Sequence, residues 1–167
     1  KAVEEMERAN RTGGAGSLFG PGGITDRAAG LHNKSNMGWF FENRGKLYAR
    51  RVADGPSGEW PVGSTHEYVY RVNPIVGIPG NVIQGRFTTD EEWEAAHGYK
   101  NPDSAKVAMS DKPKTWPPGG WLVKDPAGKP VFVSNQDSYC VYNDSGNTRK
   151  VLGIQTNHVA YAFSQKK

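Results

Sequence analysis

Glycine and proline punctuate this chain so densely that it can fold only as short segments joined by turns. Its 167 residues include 21 Gly and 11 Pro. Glycine supplies the left-handed conformations that turns require, and proline interrupts helices and central strands. Between these breaks lie 18 aromatic side chains, 5 Trp, 7 Tyr and 6 Phe, heavy enough to anchor short strands. The expected fold class is therefore mostly β, a single antiparallel sandwich- or barrel-like domain with long Pro/Gly loops. The length matches one domain and leaves no room for a second of full size.

Several function classes fall away on composition. The longest apolar runs are a few residues, far from the ~20 that span a bilayer as a helix, so no membrane insertion is expected. The single cysteine, Cys140, excludes an internal disulfide framework and a Cys-based metal site. A formal net charge of +4 is mild, and only RGKLYARR, residues 44–51, is densely basic, so nucleic acid is not an expected partner. The four histidines, His32, His66, His97 and His158, show none of the close spacings that metal sites exploit. Cys140 lies in an apolar strand, where a thiol behaves as a small hydrophobe. No nucleophile motif, phosphate loop or dinucleotide fingerprint occurs, and the expectation is a protein without enzymatic activity.

Reading along the chain, residues 1–37 form an expected N-terminal arm, and residues 38–167 a β-rich domain. Residues 10–37 are dominated by Gly, Ala, Ser and Asn. Such a segment cannot build a core, and fixing its backbone costs about 1–2 kcal/mol per residue, so a neighbouring copy of the same chain is expected to hold it. Leu18, Phe19, Ile24 and Leu31 are the apolar residues expected to make that subunit contact. A first residue of Lys1 rather than Met is what removal of an export leader would leave.

In the domain, GWFFEN and KLYARRV flank Asn43-Arg44-Gly45 and predict a hairpin. THEYVYRV alternates His66, Tyr68, Tyr70 and Val72 with Glu67, Val69 and Arg71, the period of a half-buried strand. Residues 72–87, broken by Pro74, Gly77, Pro79 and Gly80, suit a bulged or edge segment. Thr89-Asp90-Glu91-Glu92 is a capping box before Trp93 and predicts one short helix over about 89–97. VFVSN, SYCVYN and VLGIQTNHVAYAFSQ are three further β segments. In the last, Val159, Tyr161 and Phe163 alternate with Ala160, Ala162 and Ser164, placing bulk on one face and small residues on the other.

Two sets of side chains invite a ligand. No cofactor is expected; Asn135, Asp137, Asn143 and Asp144 could supply hard oxygen ligands to calcium, with turn capping as the commoner role of such side chains. The aromatic loop Trp116-Pro117-Pro118-Gly119-Gly120-Trp121, like Trp60-Pro61, offers flat rings to a surface glycan, with burial of those rings as the competing role.

The C-terminal half carries a pattern. Trp116 and Pro117, then Gln136, Asp137, Tyr142, Asn143 and Asp144, then Leu152, Gly153, Ile154, Ala162 and Phe163 resemble a WP loop, a DQ…YND strand and an LGI…AF strand. That pattern belongs to large secreted β-rich proteins of Bacteroidota and Ignavibacteria-like lineages. NKSNMGWFFENRG, residues 33–45, resembles their first strand and turn. The resemblance implies an exported, cell-surface or matrix component, and we expect an extracellular subunit of a self-assembling filament or sheath whose partners are other copies of itself. A carbohydrate-binding or adhesive surface module using exposed Trp is the alternative. Relatives often carry an acidic DxDGDG-like loop after the WP segment, where this chain reads KDPAGKP with Asp125 alone, a departure that argues against calcium at that loop.

Overall fold

The computed structural model describes residues 27–43, 45–49, 52–70, 72, 74–79, 81–84, 97–98, 107–143 and 155–164. Among them the chain is mostly β. Nine antiparallel strands run in the order β1 (Ala29–His32), β2 (Gly38–Glu42), β3 (Ser57–Glu59), β4 (Ile75–Ile78), β5 (Asn81–Gln84), β6 (His97–Gly98), β7 (Ala108–Met109), β8 (Gln136–Asn143) and β9 (Gln155–Ala162). Two single 3₁₀ turns, Val52–Asp54 and Pro113–Thr115, accompany them. No helix among the described residues is long and apolar enough to cross a membrane.

The first sheet has the order β1-β2-β3. Leu31 stands opposite Phe40 and His32 opposite Trp39, and a bulge between Gly38 and Trp39 shifts the register against β3. In the second sheet β8 is central. It pairs with β9 along its whole length, from Gln136 opposite Ala162 to Asn143 opposite Gln155. Its other edge is shared by β7, at Tyr139 and Ser138, and β6, at Asn143 and Tyr142. β4 and β5 form a separate two-stranded ribbon, with Ile78 opposite Asn81.

The two larger sheets pack face to face in a sandwich-like arrangement. Phe41 of β2 meets Met109 of β7 and Cys140 and Tyr142 of β8, together with Val107, in one buried cluster against which Ala28, Trp39 and Leu47 pack. Gly30 makes this closeness possible, since a Cβ there would lie 2.3 Å from the Phe41 ring and 2.8 Å from Val107. Burial pushes the Cys140 thiol up to about 12, so it packs as a neutral apolar group.

Several expectations are corrected. The Asn43 turn exists: Gly45, at φ +81°, donates to the Glu42 carbonyl, and Glu42 donates to the Lys46 carbonyl. Residues 46–49 of KLYARRV do not return as a strand, however, and Arg50 and Arg51 lie outside the described residues. Leu47 bonds to Val72, the Ala49 amide is taken by the Ser57 hydroxyl, and β3 occupies the edge of β2 instead. Of the arm expected over residues 1–37, residues 1–26 lie outside the described residues, but residues 29–32 are a strand of the chain's own sheet, because their backbone completes the free edge of β2. VFVSN is a loop rather than a strand, its amides at Val133 and Ser134 being captured by the Asp137 carboxylate. THEYVYRV contributes only an isolated bridge, Glu59 opposite Glu67, and its Tyr68 and Tyr70 are 67% and 82% exposed. Residues 89–96 of the expected helix lie outside the described residues, and His97 is in β6, paired with Asn143.

Candidate functional site: a groove along the free edge of β9

β9 pairs with β8 on one side and has no strand on its other side among the described residues. It is eight residues long, QTNHVAYA, with no charged residue and no proline. Sheet proteins usually blunt such an edge with Lys, Pro, a bulge or a covering loop, because unpaired N–H and C=O groups template further pairing. None of those sequence devices is present in this strand.

Beside that edge the two sheets part to leave a groove of about 430 Å³. Met37, just before β2, and Trp39 and Phe41 of β2 line it on one side, and His158, Ala160 and Ala162 of β9 on the other. Tyr161 and Phe163 also reach it, although alternation sends them to the opposite face of the strand. Residues of both faces border one space here because it passes around the C-terminal half of the strand and its end, which Phe163 follows. The cause lies in the composition of β9. Toward its C-terminal end the inward residues are the small Ala160 and Ala162, while Tyr161 and, just beyond the strand, Phe163 are 42% and 62% exposed with their rings 6.3 Å apart. Inner faces of packed sheets normally interdigitate large side chains, and Ala160 and Ala162 leave the space unfilled.

Two histidines that the sequence separates by more than a hundred residues meet here. His32, at the end of β1, stacks edge-on against Phe41 at 5.3 Å, and His158 lies 6.3 Å from the same ring and 6.4 Å from Tyr142. Burial lowers the pKa of both. At His32 the nearby Asp111 and Asp137 partly oppose that shift and His158 adds to it. The groove is therefore neutral near pH 7 as well as apolar. His32 Nε2 shares a 2.8 Å hydrogen bond with the Ser138 hydroxyl. His158 Nδ1 is buried with no partner among the described residues.

The Ser138–His32 contact has the elements of a nucleophile and base, yet Ser138 is enclosed in the core, where a reacting group could not reach it. Its setting is a buried polar latch. Gln136 Oε1 accepts the amides of Asn33 and Lys34 at 2.7 and 3.2 Å, while Nε2 donates to Asp111. Asp137 Oδ2 accepts the Val133 amide at 2.7 Å, and Oδ1 accepts both the amide and the hydroxyl of Ser134. The Ser110 hydroxyl accepts the Asp137 amide. The side chains of Gln136 and Asp137 and the Asp137 amide thus tie the loops at 33–34, 110–111 and 133–134 to the start of β8, and Ser138 ties the end of β1.

The residues singled out from sequence are distributed as follows. Leu31 stands in β1, half-buried opposite Phe40. Leu18, Phe19 and Ile24 lie outside the described residues. Trp116 and Trp121 pack together with Phe132, ring centres 5.6–6.0 Å apart, and Trp116 Nε1 donates to the Met109 carbonyl at 2.9 Å. Trp121 is buried, so its face is not on offer to a glycan. Trp60, following β3, is 52% exposed. Of the oxygen donors, Asp137 caps a turn as above, Asn135 Oδ1 accepts the Ser164 amide, and Asp144 lies outside the described residues. Asp125 likewise caps its own loop, accepting the amides of Ala127 and Lys129. Sequence reasoning missed the groove, whose walls come from residues 37–41 and 158–163; its one local signal is the small-against-bulky alternation of β9.

Comparison with protein-family models, curated proteins and solved structures gives no match to this chain.

Proposed function

We propose that this chain is an extracellular structural subunit that assembles with copies of itself into a filament or sheath. One observation carries the reading: among the described residues, an eight-residue edge strand without charge or proline is bordered by an unfilled, mostly apolar groove. A strand of this kind favours addition of another strand, with main-chain hydrogen bonds supplying affinity and side-chain pockets supplying register. The extracellular setting rests on the resemblance of the WP, DQ…YND and LGI…AF segments to exported β-rich proteins. No catalytic step is assigned to the chain, and the enclosure of Ser138 supports that choice.

Sedimentation velocity of the full chain over a hundredfold concentration range, with electron microscopy of the largest species, tests the reading. Growing oligomers that resolve into ordered particles are expected. A monomer at every concentration contradicts it.

The exposed Trp60, Tyr68 and Tyr70 favour a second reading, a carbohydrate-binding or adhesive module. Across their ribbon Trp60 donates its amide to the carbonyl of His66, and Tyr68 to that of Gly58, so the three aromatics share one short element. Stacking on sugar rings suits such a platform. Saturable binding of a soluble polysaccharide, abolished by Trp60→Ala without loss of stability, separates this reading from the first.

A further inference from the structure

The groove along β9 has features that specify its occupant. It is neutral and lined mostly by apolar side chains, with His32, Ser35 and His158 its polar members, so a charged strand would be desolvated there without an opposite charge to compensate. It passes around the C-terminal half of β9 and its end, so the occupant presents side chains to both faces of the sheet. His158 Nδ1 is a buried polar atom without a partner among the described residues, and an occupant with a polar main chain would satisfy it. The chain contains a segment of matching chemistry. Residues 13–24, GGAGSLFGPGGI, carry no charge, while Arg11 and Asp26 bound the run on either side. In an extended chain the adjacent Leu18 and Phe19 point to opposite faces. Twelve extended residues span about 40 Å against about 27 Å for the eight of β9, so the segment covers the whole edge. Pro21 is compatible with an added outermost strand, which needs hydrogen bonds on one side only.

Resting on the self-assembly reading above, we propose that residues 13–24 of a neighbouring copy add as a strand to the free edge of β9. One of Leu18 and Phe19 enters the groove between Phe41 and Ala160, and the other covers Tyr161 and Phe163. The same surfaces used head to tail leave one groove and one segment free at the ends of every oligomer, so the contact does not close on itself and generates an open chain.

Mixing variants of the full chain tests this. Ala160→Glu places a charge in the groove, and Leu18→Asp with Phe19→Asp spoils the segment. Each alone is expected to lose all species larger than a monomer. Mixed in equal amounts, they should give a heterodimer and nothing longer, because the only intact joint uses the segment of the first and the groove of the second. As a check independent of how well Ala160→Glu folds, copies carrying Phe163→Cys should form a disulfide-linked pair on mild oxidation with copies carrying either Leu18→Cys or Phe19→Cys, whichever covers that face, Cys140 being buried; no pair with either one contradicts the proposal. If wild type assembles and Ala160→Glu assembles equally well, the groove is not the acceptor although self-assembly stands. If wild type stays monomeric, the reading beneath the proposal fails as well. A disulfide closing within one chain that carries both cysteines, in monomeric protein, overturns the neighbouring copy as donor.

Discussion

At Asp137 the two carboxylate oxygens accept the amides of Val133 and Ser134 and the Ser134 hydroxyl, and every one of those partners is a donor. The site is built for an acceptor with no hydrogens. Asp137→Asn turns one oxygen into an NH₂ that faces donors, leaving a buried amide unsatisfied at a cost of about 1–3 kcal/mol. The expected outcome is a lower urea midpoint with an unchanged slope, a change in stability rather than in compactness. Asp137→Asn with wild-type stability would mean that the latch is not what holds the 133–134 loop.

His32 and His158 make a second residue-scale prediction. Burial lowers both pKa values below the 6.5 of an unfolded histidine, with Asp111 and Asp137 pulling His32 back toward it. The unfolded chain therefore binds more protons than the folded one between the folded values and 6.5, and stability rises with pH through that window. Thermal melting should fall as pH is lowered from 6.5 and be insensitive to these histidines above 7. Replacing either one with Gln, which does not titrate, should flatten the acid side of the curve. An unchanged slope in both variants would remove the histidines from the account.

At the scale of elements, the aromatic loop and the exposed ribbon show how differently Trp can be used. Trp121 is buried between Trp116 and Phe132, and truncation to Ala is expected to cost about 3–5 kcal/mol. Trp60, half in solvent, should change stability by no more than about 0.5 kcal/mol when truncated. Denaturant unfolding of the two variants checks the contrast, and equal losses would contradict it. The elements also mark what was legible in the sequence. β8 and β9 were readable because their β-branched and aromatic residues coincide with real ladders. VFVSN had the same composition, but a carboxylate four residues on took its amide. THEYVYRV alternated correctly, yet no described element covers its aromatic side, and period alone does not say which face meets a core. In the sequence Asp137 is either a calcium donor or a turn cap and it proves to be a cap, but nothing local reveals that the loops at 33–34 and 110–111 also converge on the start of β8. The groove was the least legible, because its two walls lie more than a hundred residues apart.

For the whole molecule, the two sheets are held by a small apolar cluster around Phe41 and a polar latch at the start of β8, and they part along β9. Among the described residues the molecule thus has a closed side and an open one. The open side combines an uncharged strand edge, inward-facing alanines and an outward Tyr161–Phe163 pair, while the chain carries an uncharged apolar segment at residues 13–24. Stability and assembly are accordingly expected to separate: Asp137 and Trp121 govern the first, and Ala160 and Leu18 the second.

The central claim is that the free edge of β9 is where copies join. Hydrogen–deuterium exchange of the full chain, read at low and at high protein concentration, tests it most directly. The β9 amides that point away from β8 should exchange rapidly in dilute protein and become protected as concentration rises, while those bonded to β8 stay protected throughout. Assembly at high concentration with no added protection on β9 would contradict the claim.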